Sequence, residues 1–353
     1  MTWLTWRQFR AQAATATAAL AAFAVLLAAT GPHLASLYAA SGITGCRSAS
    51  CGQLAGSFLG QVSGIYPAVY TLGLAGVILA PAVIGIFWGA PLIAREFETG
   101  TFRLAWTQTI TRARWLTSKL ALPGLAAMAV TEGLSLMNGW WAAPIGQAAR
   151  LTGGSSFPLG MGPFSLLAFD AHGITPLGYA AFAFTLGVTT GILIRRAVPA
   201  MAVTLAIFAA VQITMPLAIR PHLFPQDHTT VAISSGFSGQ INSTNHASNF
   251  ALTLDYLPSQ PGAWIISSRA VNAAGQPDST FPAACKPTAS ASRSSHSDPL
   301  TCLASNGVHI AVTYQPASRY WAIQWTETAI YLTLALALAL AGSCFWRLSR
   351  RLS

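Results

Sequence analysis

The sequence predicts an all-α polytopic membrane protein with six transmembrane helices, and three observations lead there. Apolar residues make up 53% of the 353 residues and charged residues only 8%. A soluble domain carries roughly 25% charged residues, so too little polar surface remains here to face water. Six apolar runs, near 12–36, 66–94, 119–142, 174–194, 199–219 and 322–345, reach the length a helix needs to cross the bilayer; that is roughly 20 residues for about 30 Å of hydrocarbon. The charged residues lie mostly between these runs, and lipid leaves helices as the form in which their backbone groups pair internally.

Residues 1–11 set Trp3, Leu4, Trp6 and Phe9 against Arg7 and Arg10, the pattern of an amphipathic N-terminal helix in the inner interface. Arg7 and Arg10 ahead of an Ala-rich run also match the start of a secretion signal. The apolar stretch continues to Tyr38 with no clean cleavage site, so it reads as an uncleaved first span. A Ser/Gly-rich outer loop, 37–65, follows. The second run carries Pro81, Pro91 and Gly85-Ile-Phe-Trp-Gly89, a small-xxx-small pattern suited to close helix packing. Residues 143–173 read as an irregular outer loop, and Arg195-Arg196-Ala-Val-Pro199 as a turn too short to hold a domain.

An insertion from Pro221 to Tyr320 separates the fifth and sixth runs. It is rich in Ser, Thr, Asn and Pro, and Thr229–Ile233, Phe250–Leu257, Ala263–Ile266 and Val308–Tyr314 alternate as strands do. It reads as a small mixed/β extracellular insertion, with 286–299 a flexible loop inside it. The chain therefore divides into 1–220 (spans one to five), 221–320 (insertion) and 321–353 (sixth span and tail).

Sidedness follows from the basic residues. One side holds 12 of the 19 in short segments, among them Arg7, Arg10, Arg95, Lys119, Arg195, Arg196 and Arg347. The positive-inside rule places both termini and the 95–119 segment in the cytoplasm. The net charge of +10 is thus assigned to topology and lipid headgroups, with no nucleic-acid partner. Cys46, Cys51, Cys285 and Cys302 all fall on the outer side, where thiols oxidise. Cys46–Cys51 and Cys285–Cys302 are the expected pairs, although four cysteines allow three connectivities. Neither pair has Cys-x-x-Cys spacing, and no metal site is expected.

No Gly-x-x-x-x-Gly-Lys-Ser/Thr, His-Glu-x-x-His or Gly-x-Ser-x-Gly segment is present. The chain lacks a phosphate-cradling loop and reads as no enzyme, with no cofactor. Two acids lie inside apolar runs: Glu132, mid-way along the third, and Glu327, near the outer end of the sixth. Such groups pair, protonate or face water.

The segment 95–119 holds seven of the charged residues between two spans. Its pattern Glu96-x-Glu98-x-Gly100-Thr101, then Thr111-Arg112 and Lys119, resembles the ABC-2 class of transporter permeases across the whole six-span plan. Where that family often has Pro-Val/Ile-Ser-Arg, this chain has Thr109-Ile-Thr-Arg112, and its last outer insertion is longer. The resemblance implies a cytoplasmic coupling helix resting on a separate ABC ATP-binding subunit, and a homodimer or sister permease completing the pathway. Tyr314–Trp325 looks like the start of the last span in actinobacterial relatives, which implies a bacterial plasma membrane. Physically, Glu96 and Glu98 suit the positive end of a helix, and Gly100 permits a turn. Phe102 and Trp106 offer apolar anchors, while Arg103, Arg112 and Arg114 can meet an acidic rim. The alternatives are a secondary transporter driven by protons through Glu132, or a non-transporting sensor or resistance protein presenting residues 221–320.

Overall fold

The computed structural model describes residues 2–46, 51–99, 112–152, 159, 161–233, 239–243, 250–254, 257, 259–272, 274–277, 285 and 299–348. Among these residues six helices are long and apolar enough to cross a membrane: Phe9–Ala40, Tyr66–Thr99, Leu120–Thr152, Thr175–Ile194, Ala197–His222 and Ala317–Cys344, here spans one to six. All six coincide with apolar runs of the sequence. The helix of span one is continuous from Thr2 to Ala40. The amphipathic N-terminal residues are therefore its first turns rather than a separate helix.

Span four is the centre of the bundle. In its most apolar stretch 78% of residues are buried inside the protein, against 6% for span one, which lies at the periphery. An apolar helix face in a membrane is covered by lipid or by protein, and protein covers span four because it meets spans two, three, five and six. Its contact with span two is backbone to backbone. The helix of span two widens to a π turn at Gly85–Gly89, where the small-xxx-small pattern was read. A Cβ on Gly89 would lie 2.6 Å from the Phe184 carbonyl oxygen, and one on Gly191 2.5 Å from that of Ala90. A Cβ on Gly187 would meet the Gly85 carbonyl oxygen. Only glycine permits such an approach.

Phe9 of span one and Gly342 of span six both pack near Ile192, so the first and last spans reach the same end of the bundle. At the other end sits the insertion. Three strands, β1 (Asp227–Ala232), β4 (Trp264–Val271) and β5 (His309–Gln315), form an antiparallel sheet in the order β1-β5-β4, and β2 (Gly239–Ser243) pairs with β3 (Phe250–Leu254). Leu254, Leu257, Leu303, Ile310 and Val312 fill its small core. Cys46–Cys51 and Cys285–Cys302 are disulfides with Cα atoms 5.7 Å apart, the connectivity expected. The sheet docks on the bundle through Trp264, stacked 5.8 Å from Phe164, and through Gln315, whose Nε2 donates to the Phe224 carbonyl at 2.9 Å.

Two stretches read as loops contain helices: Cys51–Gln61 and Leu166–Ala171. The second begins at Ser165, whose hydroxyl accepts from the Ala168 N–H, an N-cap.

Candidate functional site

Two polar constructions interrupt the apolar bundle, one at each end. The first is built on span two. Gly100, Thr101, Phe102, Arg103 and Trp106 lie outside the described residues. Arg112 and Arg114 fall in the first turn of the helix that becomes span three. Glu96 and Glu98 lie in the last turns of span two, which ends at Thr99. This corrects the expectation that the two acids stand near a helix start of their own. A carboxylate at a helix C-terminus gains nothing from the dipole, and Glu98 is used elsewhere. Its Oε1 accepts a hydrogen bond of 2.9 Å from the Ala197 N–H, the first residue of span five.

The local sequence explains why that N–H is open. Span four ends with Arg195 in the left-handed conformation, φ 57°, its N–H bonded back to the Gly191 carbonyl. Arg196 is extended and makes no side-chain cap. The first N–H groups of any helix lack intrahelical partners and carry partial positive charge. Glu98 supplies a charged acceptor for one of them from across the chain. The Arg195 guanidinium stands 5.7 Å from the Phe97 ring centroid. Phe97 and Glu98 thus grip the turn between spans four and five. Span one joins the same end, where Phe9 packs edge-on to Trp88 with centroids 4.9 Å apart.

The second construction is a buried ionic cluster at the sheet-bearing end. Span five widens to a π turn at Met215–Ile219, and a short 3-10 turn, Arg220–His222, follows. Arg220 is 1% exposed and Glu327 fully buried. Arg220 Nε donates to Glu327 Oε2 at 2.8 Å and Nη2 to Oε1 at 3.0 Å, a forked pair. Arg220 Nη2 also pairs with Asp170 of the short helix, and its guanidinium lies 4.1 Å from the Phe169 ring centroid. The Tyr179 hydroxyl of span four stands 2.6 Å from Glu327 Oε1 and 3.0 Å from Asp170 Oδ1, with one proton to give. Burial pushes the Asp170 carboxyl up to about 6; Arg220 pulls it down and Glu327 pushes it up. Beside the cluster, the Gln324 amide accepts from the Ile174 and Thr175 N–H groups and donates to the Phe169 and His172 carbonyls. Spans four, five and six and the short helix are tied together there.

Of the acids predicted inside the bundle, Glu327 therefore has a cationic partner. Glu132 stands apart: its Oε2 is buried with no hydrogen-bond partner among the described residues. Its neighbours on span three do bond across, as the Ser135 hydroxyl does to the Ala171 carbonyl at 3.1 Å. Sequence reasoning missed Arg220, Asp170, Tyr179 and Gln324. The available signal was a lone arginine in Ile219-Arg220-Pro221, directly after a long apolar run.

Among the described residues, no three metal-ligating side chains converge. Comparison with curated proteins and with solved structures found no match. Comparison with protein families matched residues 17–220, more than half of the chain, to one described as ABC-2 membrane transporter related. That stretch runs from within span one almost to the end of span five and takes in both constructions up to Arg220, and the six-span protein belongs to the ABC-2 membrane transporter related family.

Proposed function

We propose that this permease is the membrane subunit of an ATP-driven exporter in a bacterial plasma membrane, with both termini cytoplasmic. It has no phosphate-binding loop of its own, so a separate ABC ATP-binding subunit supplies hydrolysis. A homodimer or a sister permease completes the pathway. The apolar surface of the spans favours an amphipathic cargo.

The observation that carries this reading is the bond from the Ala197 N–H to Glu98. A partner pressing on residues 95–119 moves the end of span two. Because Phe97 and Glu98 hold the turn at 195–197, that displacement passes into spans four and five together. Those spans end in the Arg220 cluster, which moves with span six. A push at one end of the bundle thereby becomes a rearrangement at the other.

The test is purification of the tagged protein in mild detergent, wild type beside Glu98→Arg and Glu98→Gln. Wild type should bring down an ATPase with a Walker motif. Glu98→Arg, which places a cation against the positive end of span five, should lose it while still inserting in the membrane. Glu98→Gln keeps an acceptor and should retain most of it. A preparation free of any such ATPase in several detergents overturns the proposal.

One observation favours a second reading. The unpartnered carboxyl of Glu132 in span three is what a proton-coupled carrier needs. In that case Glu132→Gln abolishes transport and no ATPase is required.

A further inference from the structure

At the sheet-bearing end, a cavity of about 290 Å³ opens between spans two and three, the helix Leu166–Ala171 and the start of span six. It has room for about ten water-sized groups at about 30 Å³ each. Its polar lining is one-sided. Tyr70 is 2% exposed, yet its hydroxyl has no hydrogen-bond partner among the described residues. Gln147 accepts from the Tyr38 hydroxyl at 2.7 Å through Oε1, and its amide N–H groups have no hydrogen-bond partner among the described residues. The Tyr320 hydroxyl accepts from Gln324 Nε2 at 3.2 Å and keeps its own proton free. Arg150 forms no salt bridge among the described residues and lies close enough to Tyr320 to act on its hydroxyl.

The acceptor that His172 brings to the lining is already used. His172 Nδ1 lies 2.7 Å from the Ala168 carbonyl and must donate to it, so the neutral ring has its acceptor at Nε2, where Asn138 Nδ2 approaches at 3.4 Å. Burial lowers the His172 pKa and keeps the ring neutral. Among the described residues, no Asp or Glu lines the cavity. Asp170, two residues from Ala168, is engaged by Arg220 instead.

We infer that this cavity binds the oxyanion of a small organic acid or of an anionic lipid headgroup. Arg150 supplies the charge, Tyr70 and Gln147 orient the oxygens, and the Tyr70 and Tyr320 rings cover the apolar part. The inference rests on this geometry alone and holds whether or not an ATPase drives the chain.

The experiment is calorimetric titration of the full chain in phosphatidylcholine nanodiscs with benzoate, and with benzamide as the neutral isostere. Benzoate should bind at least about tenfold more tightly, since a hydrogen bond to a charged group is worth that factor or more. Arg150→Gln, at an exposed position, should weaken benzoate about tenfold or more. Tyr70→Phe, which keeps the buried ring, should weaken it several-fold. Phosphatidylglycerol in the nanodiscs separates the two sources: competition with benzoate identifies a lipid headgroup as occupant, and unchanged benzoate affinity identifies a free acid. No benzoate binding by wild type in phosphatidylcholine, equal binding of benzamide, or unaltered affinity in Arg150→Gln overturns the inference.

Discussion

Removing the Arg220 guanidinium would leave Asp170 and Glu327 buried beside each other with no cation between them. Breaking one side of a buried ion pair destabilises by roughly 3–5 kcal/mol, because the remaining charge is neither solvated nor paired. Arg220→Met should therefore lower the unfolding temperature in detergent markedly, and adding Asp170→Asn and Glu327→Gln should restore most of the loss. The same cluster predicts a pH dependence. The folded Asp170 carboxyl, held up to about 6 by burial, lies above its ordinary value near 4. Its contribution favours the fold fully below about pH 4 and is lost as pH rises through about 6. Facing it are Arg220, Glu327, Tyr179 and Gln212. The stability difference between wild type and Asp170→Asn should shift against wild type between about pH 4 and about pH 7, and a flat difference would refute the assignment. Beyond Glu327 itself and a lone arginine after the fifth apolar run, none of this was legible in the sequence. Arg220 reads as a loop cation after a span and Asp170 as part of an irregular loop. The contacts that define them cross 50 and 107 residues, and no periodicity encodes such pairings.

At the scale of elements, the glycines of spans two and four decide how closely the helices approach. Gly187 faces the π turn at Gly85–Gly89 with no room for a side chain. Gly187→Val should push the two spans apart and reduce the yield of folded protein, whereas Gly76→Ala, where a Cβ meets nothing within 4 Å, should be silent. Fluorescence-detected size exclusion of tagged variants distinguishes the two. The motif Gly85-x-x-x-Gly89 was legible because small residues at that spacing share a helix face. The π turn was not, since one extra residue per turn leaves no compositional trace. Strands β1, β3, β4 and β5 overlap the alternating runs that announce them, while β2, Gly-Gln-Ile-Asn-Ser, is too polar to alternate. The helices at Cys51–Gln61 and Leu166–Ala171 stayed hidden among short segments flanked by Gly, Ser and Pro. Glu98 shows a subtler failure. The sequence sets it beside the start of a coupling helix, whereas it stands in the last turn of span two and its Oε1 accepts from the first N–H of span five.

For the whole molecule, function turns on which end faces the cytoplasm. The disulfide-bonded Cys46–Cys51 segment belongs to the end that bears the sheet: Gly52 approaches the Leu151 backbone, and Gly262 beside β4 approaches the Arg150 stem. The Glu98–Ala197 junction, the start of span one and the end of span six occupy the opposite end. If an ATPase works on the Glu98 end, that end is cytoplasmic and the disulfides lie where thiols oxidise. The positive-inside rule predicts the same side for short arginine-bearing turns such as Arg195-Arg196. A Cys344→Ser background removes the one free cysteine among the described residues. In it, Gln276→Cys beyond β4 should react with a membrane-impermeant maleimide on intact cells. Arg196→Cys should react only after permeabilisation; both positions are exposed in the fold. The reverse pattern would put Glu98 outside, out of reach of any nucleotide-driven partner. It would end the coupling mechanism while leaving the fold, the ionic cluster and the acid-binding cavity untouched.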